Sequence, residues 1–118
     1  MKVLDVEIEF DFYDADNMEK FEKYSEEAQK ELDNIDINKL KQSEFIRKTC
    51  NIIYRCFDNI FGEGISEKIF KNKNNFKSCV KAFKDLIEAR VQQDSEIEEE
   101  MEAFKKYTPN RVTRGKRK

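Results

Sequence analysis

Three groups of residues in this chain have side chains that could do chemistry: the cysteines, a run of carboxylates and a set of basic residues at the C-terminal end. Cys50, Cys56 and Cys79 sit within apolar helical patterns, and no two are spaced CxxC. Three thiols lack the fourth ligand that a structural zinc site needs, so they read as small buried residues in a reducing compartment. The chain has no histidine. That excludes zinc sites built on imidazole, and with them the Ser-His-Asp and Cys-His nucleophile systems. The carboxylates Asp94, Glu96, Glu98, Glu99, Glu100 and Glu102 are dense enough to suggest a cation site. On a helix they spread around the barrel with no loop to gather them, so a solvated face is expected instead. Gly62-Glu63-Gly64 followed by Lys71-Asn72-Lys73-Asn74-Asn75 lacks the order of a phosphate-binding loop, and no strand precedes it. No cofactor is implied, and the residues alone predict a protein that is not an enzyme.

The elements that must position these groups come from the apolar spacing. At 118 residues, with 41% charged and 38% apolar, the chain fits a single domain with a modest core. Phenylalanine, ten residues in all, supplies much of that core. The segment Cys50–Phe83 holds all three cysteines, two of the three glycines and half of the phenylalanines, and everything outside it is a charged extension. Leu4, Val6, Ile8, Phe10 and Phe12 alternate with Asp5, Glu7, Glu9 and Asp11, which predicts a half-buried strand over 3–12. Met1–Leu4 is too short to pair with it, so the strand needs an irregular loop or another chain as its partner.

Helices are expected at about 16–33, 38–61, 65–71 and 75–105. The first, capped through Asp16 and Glu19, carries Met18, Phe21, Tyr24 or Ser25, Ala28 and Leu32 on one face. The second begins near Asp36 or Ser43 and is apolar around much of its circumference (Phe45, Ile46, Cys50, Ile53, Phe57, Ile60, Phe61). That breadth marks it as the central helix, and Gly62 ends it. The third brings Ile69 and Phe70 back as a lid on the core. The fourth, capped by Asn74 or Asn75, repeats Phe76, Val80, Phe83, Leu86 or Ile87, and Val91, with Cys79 beside them. Ile97, Met101 and Phe104 then restore the apolar spacing inside the acidic run, as a helical arm. The expected fold is mainly α: one small domain over 1–106, three to four helices with an N-terminal strand or short hairpin, and a flexible basic tail at 107–118.

Charge divides the chain. Residues 1–104 carry 16 basic and 25 acidic groups, a balance of −9, whereas 105–118 carry seven basic groups and no acidic one. The tail residues Arg111, Arg114, Lys116, Arg117 and Lys118 suit an acidic partner or a nucleic acid. The acidic body would repel a duplex, and the interleaved aromatics of single-strand binders are missing from the tail. No basic-then-apolar leader opens the sequence and no apolar run nears about 20 residues, so neither membrane insertion nor export is expected and the protein should be cytoplasmic.

The order of these segments is also familiar. FDFYDAD leads into EKFEK, then IRKTCNIIYRCFDNIFGEG, SEKIFKNKNNFKSCVKAFKDLIEA and YTPNRVTRGKRK. This resembles a family of small proteins from phages and prophages of Gram-positive bacteria, generally taken as tail assembly chaperones of long-tailed phages. FDNIFGEG with SEKIF is the most specific part, and YTPNR looks like the (S/T)PNRxxRR-type terminus of such proteins, here continued as RVTRGKRK. The single N-terminal strand is shorter than the hairpin such relatives carry. The resemblance implies a non-enzymatic protein of the host cytoplasm, absent from the mature virion. It would coat the tape measure protein, help recruit major tail protein, and act as a possible homo-oligomer. The surfaces that would meet the client are Val6, Ile8 and Phe10 on the strand and Ile97, Met101 and Phe104 on the arm, with the basic tail on an acidic partner. The alternative is a small nucleic-acid-binding regulator acting through its tail, with binding that falls steeply with salt and is lost on deleting 111–118.

Overall fold

The computed structural model describes residues 2–71 and 73–107. Its elements in order are β1 (Lys2–Val3), β2 (Val6–Glu7), α1 (Ala15–Asp33), a 3₁₀ turn (Ile37–Lys39), α2 (Gln42–Phe61), α3 (Ile65–Phe70) and α4 (Phe76–Tyr107). The mainly helical class expected from the spacing is what forms, with a short hairpin at the N-terminus. The chain divides into two compact units, Met1–Glu88 and Ala89–Lys118.

The N-terminal segment departs from the expected strand over 3–12. Residues 2–3 pair with 6–7 antiparallel, Lys2 opposite Glu7 and Val3 opposite Val6. The segment taken as too short to pair is therefore the partner. Leu4 and Asp5 both take positive φ, 46° and 71°, as a two-residue primed turn requires. Neither is the Gly or Asn that usually announces such a turn, so the sequence concealed it. Beyond Glu7 the chain leaves the ladder, and its apolar side chains bind through packing instead. Ile8 is buried, and Phe10 and Phe12 lie against the core. Holding two side-chain-bearing residues in the left-handed region costs about 1–2 kcal/mol each. Asp5→Gly therefore raises stability by about 0.5–1 kcal/mol, read as a higher urea midpoint at unchanged slope. Asp5 is exposed, so the change sacrifices no packing.

α1 begins at Asp14, whose carboxylate accepts from the Asn17 N–H at 3.1 Å, two residues before the expected cap at Asp16. It buries Phe21, Ser25 and Ala28, spaced four and three apart. α2 starts at Gln42, not near 38, because Asp36 caps the 3₁₀ turn through the Asn38 N–H. At the true start the Glu44 carboxylate accepts from the Lys41 N–H at 3.0 Å. The central role of α2 is plain: Thr49, Cys50, Ile52, Ile53, Cys56, Phe57 and Ile60 are all buried. Gly62, at φ 115°, ends it. Asp58 then reaches forward from α2 to the first turn of α3, accepting from both the Ser66 N–H and the Ser66 hydroxyl at 2.9 Å. That clasp fixes α3 so that Ile69 and Phe70 close over the core, as the lid expected of them.

Rings join these pieces. Phe12 meets Phe21 of α1 (5.1 Å between centroids) and Phe10, which meets Phe61 of α2 (4.9 Å). Phe61 continues to Phe57, and Phe57 to Phe70 of α3 at 5.8 Å. Edge-on contacts of this kind add about 0.5–1.5 kcal/mol beyond area burial. The first part of α4 closes the unit with Cys79, Ala82, Phe83 and Leu86. The middle of the expected face is buried at Phe83 and Leu86, with Cys79 beside them, whereas its ends are not: Phe76 is 38% exposed and Val91 65%. Spacings of three and four join Cys79, Ala82, Phe83 and Leu86 into one buried side of the helix.

Candidate partner-binding surfaces

The expected partner residues are placed in three different settings. Val6, Ile8 and Phe10 are inward. Ile8 is 3% exposed, and Val6 and Phe10 pack against the core. The opposite side presents Glu7, Glu9 and Asp11 to solvent. The apolar set that read as a docking strip is thus used internally, because the short hairpin turns it toward α1 and α2.

Ile97, Met101 and Phe104 lie on α4 within the second unit. Spacings of four and three place them along one side of the helix. Ile97 is half-buried, Met101 is 48% exposed and Phe104 59%. Tyr107 at the end of α4 is 86% exposed. Around them stand Glu98, Glu99, Glu100 and Glu102, all exposed, so an apolar strip runs through an acidic field. The basic set Arg111, Arg114, Lys116, Arg117 and Lys118 lies outside the described residues.

Among the described residues no group of three or more Cys, Asp or Glu is gathered to hold a metal ion. No helix among them is long and apolar enough to cross a membrane.

The thiols are the groups whose arrangement spacing could not reveal. Cys50 and Cys79 are both fully buried, and the Cys79 thiol donates to Cys50 Sγ at 2.8 Å. Cys56 faces elsewhere, donating to the Tyr24 carbonyl of α1 at 3.5 Å. Burial pushes the Cys79 thiol up to about 12, with Cys50 adding to the effect. Burial does the same for Cys56, also to about 12, helped by the Glu31 and Glu27 carboxylates. Burial likewise raises the Tyr54 hydroxyl, with Cys79 and Cys50 contributing; it donates to the Lys73 carbonyl. All three groups are therefore held protonated at neutral pH, and neither thiol is a ready nucleophile.

Residues 4–118 match the model of a family of unknown function, DUF6673. The chain belongs to that family. No curated protein and no solved structure matches it. Family membership thus spans the hairpin turn at Leu4, all four helices and the basic end.

Proposed function

We propose that this DUF6673 protein is a binding protein without enzymatic activity, acting in the cytoplasm as a tail assembly chaperone of a long-tailed phage. Its clients are the tape measure protein and, through it, major tail protein. The observation that carries the reading is the apolar strip Ile97–Met101–Phe104, with Met101 and Phe104 about half exposed on a helix otherwise rich in carboxylates. A long helical client offers repeated apolar stripes, which a short strip on a helix can meet side by side. Each contact is small and weak, and many copies along one client multiply it. Methionine suits the task because its unbranched side chain adapts to varied apolar partners. The surrounding acids keep a strip of this kind from promoting precipitation. The choice of client rests on the resemblance of FDNIFGEG, SEKIF and YTPNR to phage tail chaperones.

Co-expression with the tape measure protein encoded in the same genome tests this. The expected result is a soluble complex that copurifies, where the tape measure protein alone is insoluble. An insoluble client with no complex would sink the reading. Retention on RNA or DNA that weakens steeply with salt would instead favour the regulator acting through 111–118.

A further inference from the structure

We propose that Cys50 and Cys79 are a latent disulfide pair, which closes under oxidising conditions to lock α2 to the first turn of α4. Their sulfurs are 2.8 Å apart. Even carbon atoms out of bonding distance settle at about 3.5–4.0 Å, and sulfur is larger. A bonded pair sits at about 2.05 Å, so the groups need to approach by less than about 1 Å. Both are fully buried, so no solvent separates them. A ring contact joins their helices independently of the sulfurs. Phe45 on α2 meets Phe76 on α4 at 5.5 Å between ring centroids. Asn75 fixes the start of α4, its side chain accepting from the Ser78 N–H at 3.0 Å. Tyr54, one turn along α2 from Cys50, donates to the Lys73 carbonyl just before α4, and its hydroxyl also interacts with both thiols. The facing of the two thiols is therefore set by the fold.

Cys56 supplies a built-in control. It lies six residues from Cys50 on the same helix, but its thiol is directed at the Tyr24 carbonyl of α1. Oxidation should be confined to one of the three possible pairings.

The chemistry needs an oxidant, and a small-molecule disulfide such as glutathione disulfide suffices. A thiolate of one cysteine attacks it, forming a protein–glutathione mixed disulfide and releasing one glutathione thiolate. The second cysteine, after losing its proton, displaces the other glutathione. The protein gives up two hydrogens and the oxidant becomes two thiols. Because both sulfurs are buried, exchange in the folded chain waits on local opening near the start of α4. Closure is therefore slow in the native protein and efficient during refolding. The bond spans 29 positions of sequence, enclosing α3 and the α3–α4 connection. Constraining a loop of that length raises Tm by roughly 10 °C. In a reducing compartment the pair stays open, and the helices keep their noncovalent packing.

The test is to unfold the full chain in denaturant and refold it in a glutathione/glutathione disulfide buffer. Remaining thiols are then alkylated in denaturant and the mass is measured. The expected product is a monomer lighter by two hydrogens with a single alkylated cysteine, which peptide mapping assigns to Cys56. Its Tm is higher by roughly 10 °C and returns to the reduced value with dithiothreitol. Cys56→Ala still closes the bond. Cys50→Ser and Cys79→Ser each abolish it along with the Tm gain. If either serine variant fails to fold, Cys56→Ala decides the matter, since only one pairing remains available to it. Three alkylated thiols after refolding, a bond mapped to Cys56, or a covalent dimer as the main product would each overturn the proposal.

Discussion

Phe57→Ala is expected to cost about 3–5 kcal/mol. The ring is fully buried and stands where three elements meet. Its neighbours are Phe61, itself stacked edge-on with Phe10 of the N-terminal segment, and Phe70 of the α3 lid. Truncation leaves a cavity that the lid cannot fill, because the Asp58–Ser66 clasp fixes the start of α3. Typical domains have only about 5–15 kcal/mol in hand, so a large part of the stability would go. Phe76→Ala is the matched control. That ring is 38% exposed and its aromatic contact is with Phe45, so its removal costs about 1 kcal/mol or less. Urea titrations followed by far-ultraviolet circular dichroism measure both. Equal midpoint shifts for the two variants would mean that the ring network through Phe57 is not the centre of the core.

The helices were legible because each buries a stripe that the 3.6-residue period repeats. Phe21, Ser25 and Ala28 show this on α1, and the breadth of the α2 face announced its central place. Helix starts were less legible where the cap was unusual. α2 begins after Lys41, held by the Glu44 side chain, although Asp36 and Ser43 are the residue types that normally mark such a site. The hairpin was hidden for a related reason. Alternation over Leu4–Phe12 records which side meets apolar surface, and that part was right. It carries no information on what the backbone bonds to, and Leu4-Asp5 is an uncommon pair for a turn with positive φ. For α4 the spacing marks Phe83 and Leu86, which are buried, but not where the buried face stops, since Phe76 and Val91 at its ends are exposed. The thiol pair was beyond reach because its members are 29 positions apart on different helices. Of the proposed surfaces, the spacing of Ile97, Met101 and Phe104 was readable directly. The inward turn of Val6, Ile8 and Phe10 depended on a hairpin that the residue types did not signal.

On the proposed chaperone reading, the combined variant Ile97→Ala, Met101→Ala, Phe104→Ala weakens binding to the tape measure protein by about 100-fold or more while leaving the protein folded. Apolar anchors at an interface commonly cost about 1–2 kcal/mol each when truncated, and three in one strip compound. Met101 and Phe104 are about half exposed, so little buried area is lost within the chain itself. Alanine is the best helix former, so the local helix persists. The thermal midpoint should therefore move far less than for Phe57→Ala, and the two variants separate binding from stability. Deleting 111–118 should behave differently. A basic segment meeting an acidic partner acts over a distance, so its loss slows association and flattens the salt dependence more than it speeds dissociation. Titration calorimetry and stopped-flow association with a soluble tape measure fragment distinguish the two. Client affinity unchanged in the triple alanine variant would remove the α4 strip as the binding surface. The inward packing of Val6, Ile8 and Phe10 then leaves the acidic Glu7–Glu9–Asp11 side and the C-terminal residues as the places to look.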